Sequence, residues 1–181
     1  MAKKAAWLDT AAGSMLAIAD EEALYLLEFA GRHGLKQEVE RLRQKTKSTI
    51  VLGYTQPIRS IERELNQYFE KKLRKFNTAI FFLGSPFQKQ VWEELQKTPL
   101  GETRSYSDIA VAIGRPSACR AVAQATGANQ LAIVIPCHRV IHANGKLGGY
   151  AGGITCKKWL IAHEKECQSK GIAVHCKIAL S

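Results

Sequence analysis

The ten residues from Leu131 to Val140 constrain this chain more than any other stretch. Leu131-Ala132-Ile133-Val134-Ile135 is apolar and rich in β-branching, the pattern of a short buried strand. Pro136-Cys137-His138-Arg139-Val140 follows at once. Proline has no N–H to give to the middle of a sheet, so Pro136 ends the strand and Cys137 sits where a side chain can leave the sheet. A thiol beside an imidazole and a guanidinium is in a setting that favours thiolate, the nucleophilic form. The residues alone leave a second reading open, in which Cys137 is a small buried hydrophobe and His138 a structural histidine.

Composition narrows the class of protein. The 181 residues can hold one large or two small domains, and 46% hydrophobic content is enough for a core. A net charge of +10 suggests a polyanionic partner, nucleic acid first. The charge is spread along the chain. Residues 1–85 carry 14 basic and 10 acidic groups, 86–170 carry 11 and 6, and Lys177 adds one more, so any DNA face has to be assembled by folding. Cys119, Cys137, Cys156, Cys167 and Cys176 are odd in number and contain no Cys-x-x-Cys pair. This argues against a disulfide framework or a zinc ribbon and for a reducing compartment. No signal-peptide core and no bilayer-length apolar run is present, so a soluble, cytoplasmic protein is expected.

The first half carries its own pattern. Met15–Ala19 and Leu24–Phe29 read as strands joined by a turn at Asp20-Glu21-Glu22. Leu35, Val39 and Leu42 mark an amphipathic helix, and Thr49–Leu52 a third strand. Ile58, Ile61, Leu65, Tyr68 and Phe69 mark a second helix with Pro57 in its first turn. No catalytic constellation is visible there. His33, between Gly31 and Gly34, reads as a loop residue. Lys71-Lys72-Leu73-Arg74-Lys75 reads as a solvated helix end, with phosphate contact as the alternative, and residues 73–84 as a linker.

Ser85-Pro86 reads as the cap and first residue of a helix carrying Phe87, Val91, Trp92 and Leu95. Ser105 and Asp108 read as a capping pair for a helix that Gly114 ends in a left-handed conformation. A second helix runs from Ala118 to Gly127. The pair fits a helix-turn-helix or an ordinary αα-hairpin. The Ala-rich second helix, with Arg120 near its positive end, suits a duplex contact. Beyond Cys137, Asn144-Gly145 signals a hairpin, and Gly148-Gly149-Tyr150-Ala151-Gly152-Gly153 reads as a flexible loop or a pocket wall. A last helix spans about Thr155 to Cys167, and 168–181, with His175 and Cys176, reads as a tail.

Several of these motifs, in order and spacing over roughly residues 80–167, resemble the methylated-DNA–protein-cysteine methyltransferases, also called alkylguanine-DNA alkyltransferases. Ser85–Trp92 is similar to the start of their catalytic domain, Ser105-Tyr106 to the start of their first DNA-binding helix, and Pro136–Val140 to their nucleophile box. Asn129 resembles their hinge asparagine, Gly148, Tyr150 and Gly152-Gly153 their pocket loop, and His163-Glu164 their final His-Glu. The resemblance implies an α+β protein: an N-terminal sheet-and-helix domain over 1–78, then a mostly helical catalytic, DNA-binding domain over 79–170 with a helix-turn-helix and a short active-site strand, then the tail at 171–181. It departs at Ala151, where some relatives carry a serine, and in the tail. Some relatives bind zinc in the N-terminal part; no ligand set for a metal is visible here.

The implied activity is repair of O6-methylguanine, and of O4-methylthymine as a further substrate, by irreversible transfer of the alkyl group to Cys137 after the nucleotide is flipped out of duplex DNA. The implied catalytic residues are Cys137, His138, Glu164, Asn129 and Tyr106. The implied DNA contacts are Arg120, Tyr106, Ala121, Gln124 and Ser117. Tyr150, Gly148, Ala151, Lys157 and Arg139 are the implied pocket residues. A thioether is not released by water, so one turnover per molecule, no cofactor, double-stranded DNA as partner, no membrane and a monomer are expected. Rival readings are a damage-binding protein without transfer, a helix-turn-helix regulator and a papain-like hydrolase. The presence of Cys137, the few polar side chains on 118–125 and the adjacency of His138 to Cys137 count against them in turn.

Overall fold

The computed structural model describes the backbone of residues 2–178 and the side chains of residues 2–169. Strand β1 (Lys3–Thr10) turns tightly into β2 (Gly13–Ala19), which turns into β3 (Leu24–Phe29). Asp20 closes that second turn, its Oδ1 accepting the N–H groups of Glu22 and Ala23 at 2.9 Å each. After α1 (Leu35–Thr46), β4 (Ile50–Leu52) adds in parallel to β1, giving the order β3-β2-β1-β4. The period-2 alternation of β2 decides the layering. Leu16 and Ile18 face α1 through Leu42, while Met15, Ala17 and Ala19 face α2 (Gln56–Phe69) and the second half of the chain. Both faces are covered, which is why these strands are apolar almost throughout. β1 was not legible from the sequence, because Lys and Ala are weak strand formers. Its pairing on both sides holds it extended.

The second half begins with α3 (Pro86–Gln96), where Ser85 and Gln88 form a complete capping box. β5 (Arg104–Ser105) leads into α4 (Tyr106–Ala112), capped by the Ser105–Asp108 pair. Gly114, at φ 75°, turns the chain towards α5 (Cys119–Gly127). The α4–α5 pair forms the helix-turn-helix. Trp92 of α3 anchors it by donating from Nε1 to the Ala125 carbonyl at 2.8 Å. A 3-10 turn at Cys137–Arg139 is followed by β6 (Val140–Ile141), parallel to β5, and by α6 (Ile154–Ile178).

Three sequence expectations change. Residues 131–135 are not a strand. Only Leu131 bridges to β3, through Leu27, and the chain then folds back so that Ile135 N–H reaches the Leu131 carbonyl at 3.0 Å. Ile133 takes φ 71°, a costly conformation for a β-branched residue. Asn129 enforces it, because its side chain accepts from Leu131 N–H at 2.9 Å and donates to the Ile135 carbonyl at 2.9 Å. The short strand near the site is β6, just after the cysteine. Asn144-Gly145 makes a turn, with Gly145 at φ 84°, but the chain after it does not return as a strand. Finally, α6 continues past Cys167 to Ile178, where a tail was expected; the side chains of His175 and Cys176 lie outside the described residues.

The two halves share one core. Residues of the sheet and α2 pack with Val91, Leu95, Ile109, Val122, Ile133, Val140 and Leu160. The outer edge of β3 is covered by two other segments of the chain. Leu24 pairs with the 79–81 stretch, and Leu27 exchanges hydrogen bonds with Gln130 and Ala132 at 2.8 Å. Such pairing removes an open strand edge and fixes the turn before Cys137 against the sheet.

Candidate active site

Cys137 lies on the wall of a cavity of about 510 Å³. Around it stand Tyr106 from the start of α4, Ala123, Thr126 and Gly127 from α5, Asn129, His142, and the loop residues Gly149, Tyr150 and Ala151. Arg32 and His33 enter from the loop after β3. The thiol is buried and accepts a hydrogen bond from Asn129 Nδ2 at 3.2 Å. Burial pushes its pKa up to about 11, against the smaller opposing pull of the Asn129 bond. The sequence placed a guanidinium next to this sulfur. The fold turns Arg139 away, so at neutral pH the resting group is a thiol.

Behind the cysteine stands a buried relay. His138 Nε2 meets Glu164 Oε1 at 2.7 Å, while His138 Nδ1 is buried with no hydrogen-bond partner among the described residues. Arg139 clasps the same carboxylate, with Nε to Oε2 at 2.7 Å and Nη2 to Oε1 at 2.9 Å, and donates from Nη1 to the Thr98 carbonyl at 2.7 Å. The Tyr68 hydroxyl adds a donor to Oε1 at 2.8 Å. Burial alone would raise Glu164, but His138 and the Arg139 clasp outweigh it and hold the carboxyl well below its usual range. Burial lowers the pKa of His138, so the imidazole is neutral. With Nε2–H committed to the carboxylate, Nδ1 keeps the free lone pair of a base.

The fold brings Cys137, Asn129, Tyr106, Tyr150 and Ala151 together at the cavity, with His138 and Glu164 directly behind. Arg139, expected in the pocket, is instead part of the relay and lines a separate cavity with Arg74, Lys75 and Thr98. Lys157, also expected there, is fully buried and holds the pocket loop from beneath. It donates to the carbonyl of Val140 at 2.6 Å, to that of Leu147, and to that of Gly149 at 3.4 Å. Gly148, at φ 72°, supports the wall, since a Cβ there would sit 3.1 Å from the Tyr106 hydroxyl and 3.0 Å from His142 Nε2. Ser117, Arg120, Ala121 and Gln124 form an exposed surface on and just before α5, whose Ala123 and Thr126 line the cavity.

Arg32, His33 and His142 line the cavity although the sequence marks none of them as site residues, His33 reading only as a loop residue. Arg32 pairs with Glu28 and, at 3.3 Å, with Glu38, and reaches the Asn129 carbonyl at 3.1 Å. A charged residue and a histidine between two glycines was the available signal, and nothing in the chain order said that this loop would face the cysteine.

Residues 86–166 match the family described as 6-O-methylguanine DNA methyltransferase, DNA binding domain. A methylated-DNA–protein-cysteine methyltransferase of Mycolicibacterium paratuberculosis is 44% identical over 143 residues, covering 77% of this chain and 86% of that protein. The chain belongs to the O6-methylguanine-DNA methyltransferase family. Among solved members, Mycobacterium tuberculosis OGT in complex with DNA superposes with a TM-score of 0.77 at 35% identity, over 92% of this chain and 94% of that one. A second structure, of the M. tuberculosis O6-methylguanine methyltransferase, gives 0.76 at 36% identity over 91% and 93%. The likeness to these methyltransferases therefore extends through the N-terminal half, well beyond the motifs.

Proposed function

We infer that this protein repairs O6-alkylguanine in double-stranded DNA by moving the alkyl group irreversibly onto Cys137. One observation carries the assignment of the nucleophile: a buried thiol faces a base-sized cavity bordered by α5, with the His138–Glu164 relay behind it. O4-methylthymine is the further substrate we propose. The protein acts as a monomer in the compartment that holds the DNA, the cytoplasm in a cell without a nucleus. Among the described residues no helix is long and apolar enough to cross a membrane. Residues 79–170 serve as the catalytic, DNA-binding unit and 1–78 as its support.

In our proposal, the exposed face of α5 enters the minor groove. Ser117, Ala121 and Gln124 allow close approach, and Arg120 fills the gap left by the extruded nucleotide. An alkylated guanine pairs poorly and is less costly to extrude than a normal base. The flipped base lies between Tyr150 and Cys137. His138 Nδ1, through a water, accepts the thiol proton. The sulfur attacks the alkyl carbon, the C–O6 bond breaks, and Tyr106 delivers the proton that the departing guanine needs, to be reprotonated in turn from the relay. The sum is thiol plus O6-methylguanine to thioether plus guanine, with no proton gained or lost. Asn129 holds the sulfur and its turn, while Lys157 and Gly148 hold the pocket loop.

Incubation with a duplex carrying label in the O6-methyl group tests this. Label appears on the protein at one equivalent and stops, and Cys137→Ser transfers none. Binding without transfer by the wild type, or many turnovers per molecule, would overturn it. Arg120→Ala slows repair of duplex DNA by tenfold or more yet leaves alkylation by free O6-benzylguanine nearly unchanged; equal losses would remove Arg120 from extrusion.

A further inference from the structure

Tyr68 closes the last turn of α2, in the half of the molecule that carries no nucleophile, and the transfer chemistry above does not use it. Its ring is 1% exposed and is held by Phe69, Phe76 and His163, with centroids at 5.0, 5.6 and 5.1 Å. Its hydroxyl is spent on the relay carboxylate. Glu164 Oε1 takes Tyr68 at 2.8 Å, His138 Nε2 at 2.7 Å and Arg139 Nη2 at 2.9 Å, so three donors share one oxygen.

We propose that Tyr68 is a positioning residue of the relay, limiting how strongly Glu164 holds the His138 imidazolium and so setting the base strength of His138 Nδ1. Each donor on a carboxylate oxygen draws on the same negative charge. Removing one leaves more of that charge for the proton on Nε2 and stabilises the charged imidazole. Burial and Glu164 hold the Tyr68 phenol well above its usual pKa, so it remains a donor across the working range. The other groups facing His138 and Tyr68 are Arg139 and Lys157, which oppose imidazolium, the neutral Tyr150 ring at 6.3 Å from His138, and Cys167 and His163 beside Tyr68. None of them replaces a donor lost from Oε1. The N-terminal half thus takes part in tuning the nucleophile as well as in packing.

This inference rests on the alkyl-transfer reading, and two measurements separate their failures. In the full chain, Tyr68→Phe keeps the ring and removes the hydroxyl. The rate of Cys137 alkylation by O6-benzylguanine is followed against pH, and His138 is titrated by NMR in the Cys137→Ser background. The acid-side midpoint of the rate and the His138 pKa both rise by about half a pH unit or more, roughly a threefold loss of rate below the midpoint. A uniform loss of rate or of Tm with both midpoints unmoved overturns the role of Tyr68. Absence of transfer in the wild type would sink the alkyl-transfer reading instead, and the His138 titration still decides Tyr68. If Tyr68→Phe does not fold, 3-fluorotyrosine at position 68, a stronger donor, lowers the His138 pKa; no change overturns the inference.

Discussion

Cys137 shows how far a residue's neighbours in sequence can differ from its neighbours in space. Adjacent His138 and Arg139 suggest a thiolate, yet both turn to Glu164 and leave the sulfur buried with Asn129. With the thiol pKa at about 11, the thiolate fraction rises nearly tenfold for each pH unit between 7 and 9. Iodoacetamide modification of Cys137, followed by mass spectrometry of its peptide, rises with that slope; a flat rate would mean a preformed thiolate. Asn129→Ala removes the donor to Sγ and leaves Leu131 N–H without its partner, while the Ile135 carbonyl keeps the Cys137 N–H at 2.8 Å. A buried polar group stripped of its partner costs about 1–3 kcal/mol. We expect a loss of that order in urea unfolding, together with a slower alkyl transfer.

Among the elements, helix caps were the features most readable in advance. Ser85, Thr55 and Ser105 each accept a backbone N–H at their helix start, as residue type and spacing suggested for Ser85 and Ser105. Ser105→Ala removes half of the α4 capping box and lowers stability by about 1 kcal/mol, readable as a drop in Tm. It also loosens Tyr106, the first residue of α4, so transfer from duplex DNA falls more than stability does. The pocket loop is less tolerant. Gly148→Ala puts a Cβ into left-handed backbone against the Tyr106 hydroxyl and His142. We expect at least a tenfold loss in alkylation rate with O6-benzylguanine, where DNA contacts play no part. Elements failed to be legible where a side chain overruled propensity: 131–135 has strand composition, and Asn129 folds it into a turn.

At the scale of the whole molecule, the two halves are joined by charge as well as by core. Glu164 anchors α6 to the 3-10 turn through Arg139 and to α2 through Tyr68. Its carboxyl pKa is lowered on folding, so its contribution is complete above the unfolded value of 4.5 and is lost as pH falls towards the depressed folded value. Urea unfolding below pH 4.5 therefore shows stability falling with acid by up to about 1.4 kcal/mol per pH unit from this group. Glu164→Gln flattens that slope while starting from a lower stability at pH 7. On the other side of the cavity, Arg32→Ala unpairs buried Glu28 and Glu38 and frees the Asn129 carbonyl. Breaking a buried pair from one side costs roughly 3 kcal/mol, with the larger share lost at high pH, where Glu28 must ionise.

Local chemistry in the chain was enough to reveal both helical stripes of the first half, three of its strands, the caps and the helix pair α4–α5, because hydrophobic period, capping and glycine stereochemistry act over a few residues; the helix-turn-helix and nucleophile-box readings came from the family resemblance. It was not enough for β1, whose lysines and alanines are extended only because β2 and β4 flank them. Nor could it bring Arg32 and His33 to the cavity of Cys137, or Tyr68 to Glu164, 96 positions further on. Those meetings come from packing one sheet against the second half through a shared core, and long-range contact of this kind leaves no periodic mark on a sequence.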